Sequence, residues 1–175
     1  KRKSVTGDAW EQSTLPVANG GIGVRRATDV ALPAYLSSVT GSHALVIQLL
    51  PQALHEVAGI NEPIFAAALN EWQSRTGVTS VQQPLPTAQK VWDAPLAKTQ
   101  GAKCQQLHLT RRVKARLTAA SAPHSGAFLH ARPCASLGTR LDNSSLRIAV
   151  ALRLGAPVCL PHTCVCGAPV DNTGR

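Results

Sequence analysis

The apolar positions of this chain recur at helical spacing over much of its length. From Thr28 to Ser38, Val30, Tyr35 and Val39 mark one face, with Thr28 or Asp29 to cap the start and Pro33 early in the helix. "SHALVIQLL" predicts a second helix, stopped by Pro51. "EPIFAAALNEWQSR" predicts a third, with Asn61 as its cap, Pro63 in the first turn and Ile64, Ala67, Ala68 and Trp72 as its buried stripe. After "TGVTSVQQPLPTAQ", where Gly77, Pro84 and Pro86 break any period, the pattern resumes. Leu109, Val113, Leu117 and Ala120 predict one helix over about Lys98 to Ala120. "LDNSSLRIAVALRLGAP" gives the clearest helix: Asp142, Asn143 and Ser144 offer caps, and Gly155 and Pro157 supply the stop. Leu146, Val150 and Leu154 fall on one of its faces and Ile148 and Leu152 on another, which predicts a largely buried element. Residues 1–24 read as irregular.

No run alternates as a strand does, so the expected fold is mainly α: an irregular helical linker or bundle with loop-rich termini and no sheet. The expected organisation is a helical segment over 1–77, a linker over 78–90, a basic helical segment over 91–158 and a cysteine-rich loop over 159–175. The longest apolar runs, "ALVIQLL" and "IAVALRL", are broken and shorter than the ~18 residues of a membrane span, and no apolar leader follows "KRK". A protein without membrane association, inside the cell, is the expectation.

Composition changes the picture in one respect. Hydrophobic residues are 44% of the 175, enough for a core, but aromatics are 3% and charged residues only 15%, below the ~25% of an average domain. The net charge of +9 is uneven. Residues 1–90 carry seven Lys/Arg and six Asp/Glu; residues 91–175 carry eleven and three. Such asymmetry points to an anionic partner, nucleic acid being the commonest. Lys103, Arg111, Arg112, Lys114 and Arg116 stand together with no acid between Lys98 and Arg116, the composition that neutralises phosphates and releases counterions. No aromatic side chain accompanies them, which argues against base stacking on a single strand.

Five cysteines is an odd number, and three crowd between Cys159 and Cys166. That clustering suits metal better than a disulfide framework. Cys164 and Cys166, with Gly167 behind them, supply two thiolates from a tight loop; Cys159 and His162 are possible further ligands for zinc, which takes four in a tetrahedron. The alternative is a loop of ordinary reduced thiols. His124, Ser125 and Asp142 are the residue types of a hydrolytic triad, but there is no G-x-S-x-G elbow. The nine acids are scattered, unlike the clustered carboxylates of two-metal polymerases and nucleases. "NGGIG" is not a G-x-G-x-x-G loop.

Read together, "LPVANGGIGVRRATDVALPAYLSSV", "VWDAP" and "SGAFLHARPCASLGTRLDNSSLRIAVALRLGAPVCLPHTCVCGAPVDNTGR" resemble one region of the polyproteins of non-long-terminal-repeat retrotransposons that carry a restriction-like endonuclease. The resemblance runs from about Leu15 to Arg175 and is weakest over 78–89 and 98–120. In that family a leucine–proline and double-glycine element follows the polymerase thumb. A helical linker then leads to a Cys-Cys-His-Cys zinc knuckle and the endonuclease. The resemblance implies that Cys164 and Cys166 are the first two knuckle ligands, with the His and last Cys after Arg175. Cys159 and His162 match recurrent residues of the region. Polymerase aspartates would lie before Lys1 and endonuclease acids after Arg175, so no catalytic residue is implied here. The chain, which contains no Met, is expected to be a piece of an RNA-directed DNA polymerase, a nucleic-acid-binding linker whose partners are RNA or DNA and the rest of the polyprotein, nuclear in the parent. A stand-alone basic helical module that binds nucleic acid is the alternative, and a small hydrolase a third reading.

Overall fold

The computed structural model describes residues 7–107 and 110–174. It is mainly helical: α1 (Gly7–Thr14), α2 (Ala27–Leu49), α3 (Pro63–Thr76), α4 (Gln89–Leu107), α5 (Arg111–Ala120), the short α6 (Ala127–His130) and α7 (Asn143–Leu154). Two-residue strands β1 (His162–Thr163) and β2 (Pro169–Val170) pair antiparallel, His162 opposite Val170. The chain divides into two compact units, Arg26–Gln100 and the joined segments Lys1–Arg25 and Gly101–Arg175.

The unit of residues 26–100 has an aromatic core. Leu36, Phe65, Trp72, Trp92 and Leu96 are buried together. The Trp72 and Trp92 rings meet edge to face, centroids 5.1 Å apart at 82°, the arrangement favoured by the ring quadrupoles. Both indole N–H groups are satisfied: Trp72 Nε1 donates to Trp92 O and Trp92 Nε1 to Pro86 O, each at 2.8 Å. Thr40 also donates its hydroxyl to Pro86 O, at 2.6 Å. These bonds, with Val78, Val81 and Leu85 packed on the core, hold the 78–90 segment inside this unit, whereas the sequence places a linker there.

Several elements differ from their sequence expectations. The two helices expected over 28–50 are one, α2, because "TGS" at 40–42 is weak helix but not a stop. Thr40 and Ser37 turn their hydroxyls back to the helix carbonyls Leu36 O and Ala34 O. Fused, α2 is long and apolar enough by length and composition to cross a membrane, where the broken runs had suggested no span. One of its faces lies in the core through Leu32, Tyr35, Leu36 and Val39, while Leu45 and Leu49 are exposed. α4 begins at Gln89 rather than Lys98 and carries Pro95 inside it. An interior proline costs ~3 kcal/mol; burying Trp92 and Leu96 returns ~1.5–3 kcal/mol for each large side chain, which tips the balance to helix.

The stripe of α3 keeps Ala68 and Trp72 of the expected four and replaces Ile64 and Ala67 by Phe65 and Leu69. Phe65, Ala68, Leu69 and Trp72 face the core, while Ile64 is 67% exposed and Ala67 is exposed. Asn61 is not its cap: Glu62 stands there without a side-chain bond to the helix, its Oε1 accepting from Gly59 N, and Asn61 Nδ2 donates instead to His55 O. The single helix expected over 98–120 is two, α4 and α5, with Thr110 capping α5 by accepting from Val113 N. Leu109 of the expected stripe lies outside the described residues. The irregular start contains α1. α7 keeps its expected bounds, with Asp142 Oδ1 accepting from Ser144 N and Ser145 N at 2.8 and 2.9 Å. It is not largely buried, however. Leu146, Ile148 and Leu152 are exposed and only Arg153 and Leu154 are covered.

Candidate nucleic-acid interface

The other unit, residues 7–25 with 101–174 among those described, is built around polar groups. Its apolar cluster is small: Leu15, Cys104 and Leu117, with Val113 against it. Burial among these groups raises the Cys104 thiol pKa, as does Glu11. Beside the cluster lies Arg153, 7% exposed. Its Nε donates to Gly21 O at 2.9 Å, its Nη2 to Val17 O at 2.7 Å and its Nη1 to Ser125 Oγ at 3.3 Å. A guanidinium presents five donors in a rigid fork, and here the fork fills a nest of acceptors from the "VANGG" turn. Burial alone depresses its pKa, though an arginine stays charged at any physiological pH.

Gln12, fully buried, extends the network: Nε2 donates to Gly20 O and to Arg153 O, both at 2.9 Å. Arg116 Nη1 donates to Gln12 Oε1 and to Arg153 O, the latter at 2.9 Å. The last-turn carbonyl of α7 thus receives an amide and a cation at the negative end of the helix dipole. The double glycine is required by closeness, since a Cβ at Gly21 would collide with the Leu15 carbonyl. The sequence conceals this network. Arg153 sits in an apolar run and Gln12 in a stretch without period; an arginine interrupting "IAVALRLG" was the available signal.

The basic residues expected to contact phosphates separate into three situations. Arg116 is turned inward as described, so its charge is spent on structure; burial lowers its pKa, with neighbouring Arg112 contributing. Arg112 is exposed but engaged: Nη2 donates to Thr173 Oγ1 and Nη1 lies 3.8 Å from Asp171 Oδ2. Lys103 on α4 and Arg111 and Lys114 on α5 are exposed. Charge follows the division of the fold more closely than it follows the halves of the chain. Counting along the sequence, the unit of 1–25 and 101–175 has fourteen Lys/Arg and four Asp/Glu, a balance of +10. The unit of 26–100 has four and five, a balance of −1.

Cys164 and Cys166 lie in a hairpin turn between β1 and β2. Cys164 N donates to Ala168 O and Gly167 N to Cys164 O, both at 2.8 Å, and Gly167 takes φ +85° to close the turn. The N–H of Cys166, the Cys166 thiol and the N–H of Val165 lower the Cys164 pKa. The other two expected ligands look elsewhere: Cys159 Sγ donates to Asp171 O at 3.3 Å, and His162 Nδ1 lies 2.9 Å from Leu160 O. Among the described residues no three His, Cys, Asp or Glu gather in a way that could hold a metal. The described residues therefore bring a pair of thiols together and not the four donors of a zinc tetrahedron.

Two of the three triad residues, Ser125 and Asp142, are committed elsewhere. Ser125 donates its hydroxyl to Ala120 O at 2.6 Å and accepts from Arg153. Asp142 is the cap of α7, and its carboxyl is held below the usual range by the Ser145 hydroxyl and the Ser145 and Ser144 amides. No family model, curated protein or solved structure matches the chain.

Proposed function

We propose that this chain is a nucleic-acid-binding helical segment, of the kind that joins reverse transcriptase to endonuclease in the retrotransposon polyproteins it resembles. Its work is to hold the phosphodiester backbone of RNA or DNA while chemistry occurs on other parts of an RNA-directed DNA polymerase. The observation that carries the reading is the segregation of charge: one compact unit holds a balance of +10 and the other −1. Lys103, Arg111 and Lys114 are the contacts, joined by Arg112; Arg116 is a brace. Zinc enters only with two ligands from outside the described residues, beside Cys164 and Cys166.

The test is a titration of the full chain against labelled single-stranded and duplex oligonucleotides across a salt series. Affinity should fall linearly in log–log form between about 50 and 200 mM salt. Arg111→Glu combined with Lys114→Glu should weaken binding about tenfold at the low end without changing the thermal midpoint. Affinity that ignores salt would overturn the reading.

A further inference from the structure

Between α5 and α7 runs a groove of about 950 Å³. Arg111, Arg112 and Arg116 line it together with apolar groups, among them Ala119, Leu152 and Ala156. Thr173 is part of the lining. No aromatic side chain lines it, so it offers no stacking platform; the Arg111 and Arg112 guanidinium groups beside apolar side chains suit a sugar–phosphate backbone. Arg112 does not face the groove freely. Its Nη2 donates to Thr173 Oγ1 and its Nη1 is 3.8 Å from Asp171 Oδ2. The Thr173 hydroxyl in turn donates to Asp171 Oδ1 at 2.6 Å, and Thr173 N donates to the same oxygen at 2.7 Å. One carboxylate oxygen and one hydroxyl oxygen thus stand before the guanidinium fork, much as two non-bridging phosphate oxygens would.

We propose that the α5–α7 groove is the seat of a phosphodiester strand and that Asp171, with Thr173, occupies Arg112 as an internal phosphate mimic until a strand displaces it. The inference rests on the nucleic-acid reading above and adds the place of binding and its built-in competitor. The latch is suited to exchange: both side chains of the ion pair are about half exposed, and such pairs shift equilibria by only about one-and-a-half- to fivefold. A phosphate on the same arginine brings a full charge and a bidentate acceptor.

The experiment uses the full chain, fluorescence anisotropy and two probes, a labelled oligothymidylate strand and a hairpin duplex, each over a salt series. Asp171→Asn should bind about two- to fivefold tighter than the parent at low salt, with a slope of log affinity on log salt steeper by about 0.7 on the single strand. Thr173→Ala, which leaves the carboxylate in place, gives a second reading of the latch and should also tighten binding. Arg112→Gln should abolish the gain in the Asp171→Asn background. Leu152→Glu, placing a carboxylate in the groove, should weaken binding at least fivefold, while Leu146→Glu, outside the groove on the same helix, should not.

A gain on the strand alone assigns the groove to single strands; equal gains on both probes assign it to any phosphodiester backbone. Asp171→Asn and Thr173→Ala binding no tighter than the parent, or Leu152→Glu and Leu146→Glu weakening equally, would overturn the latch or the groove while leaving the nucleic-acid reading intact. A parent chain that binds neither probe at low salt removes that reading and the latch together.

Discussion

Residues 26–100 pack around two tryptophans, whereas residues 7–25 and 101–174 pack around a guanidinium. In the first unit, large apolar side chains supply the driving force, and hydrogen bonds from Trp72, Trp92 and Thr40 orient what burial has gathered. In the second, the apolar cluster is only Leu15, Cys104 and Leu117. The turn of residues 15–23 and the end of α7 are joined instead by Arg153, Gln12 and Arg116. Apolar burial is non-directional and tolerates repacking. A fork of N–H groups on carbonyls is directional, and buried acceptors left without partners are costly. The two units should therefore fail differently when mutated, and the basic one combines a cationic exterior with a cation at its centre.

The comparison can be broken most forcefully at Trp92, 1% exposed. Trp92→Ala removes the ring pair and the bond to Pro86, and should cost about 3–5 kcal/mol, read as a lower urea midpoint with loss of near-ultraviolet dichroism. A cost below 1 kcal/mol would mean that the aromatic cluster does not organise its unit.

Next comes Arg153. Arg153→Met keeps the length and apolar stem but takes the guanidinium donor from Gly21 O and leaves Val17 O with the Gly20 N–H alone, for an expected loss of about 1–3 kcal/mol. Arg153→Lys should rescue little, because a single ammonium cannot span the fork's acceptors. If methionine is tolerated as well as arginine, apolar burial rather than hydrogen bonding holds this unit, and the contrast disappears. Gly21→Ala tests the same turn by crowding: its Cβ against the Leu15 carbonyl should cost about 1–3 kcal/mol, measured by thermal melting. Gly77→Ala is the reference for a glycine whose Cβ would meet nothing, its left-handed φ of +72° the sole penalty.

The smallest effect separates the units by acid. α7 has a carboxylate bonded to its own first-turn amides, whereas the α2 and α3 N-caps make no side-chain bond to their helices. The folded pKa of Asp142 is depressed by the amides and hydroxyl it accepts from, so its contribution is present above the unfolded value near 4 and is lost as pH falls through the folded one. The Ser144 and Ser145 amide resonances should shift only below about pH 4, and Asp142→Ala should erase that titration. Shifts already complete at neutral pH would show that the carboxylate is not the cap.

Helix content and the bounds of α7 were legible in the chain because caps and stops are local chemistry: Asp142 and Gly155 act on backbone groups within a few residues of themselves. The basic cluster was legible as composition. Its allotment was not, since Arg111 and Arg116 look alike in sequence and only Gln12 and the α7 carbonyl, distant along the chain, take Arg116 out of service. In α3 the sequence marks Ala68 and Trp72 correctly but not Phe65, because Ile64 and Phe65 are equally apolar, and which of them is covered depends on where Leu36 and Trp92 arrive. The segment 78–90 carries no period, and its anchorage comes from Trp92 and Thr40 reaching Pro86.

By itself the sequence determined that this chain is mainly helical, strongly cationic and poor in carboxylates, since periodicity, capping and charge are summed residue by residue. Only the tertiary structure decided which faces are inside, that the cations collect on one compact unit, and that Arg153 and Arg116 brace its interior while Arg111 and Lys114 stay in water. Burial and hydrogen-bond satisfaction are properties of groups brought together from remote parts of the chain, and no local pattern records them.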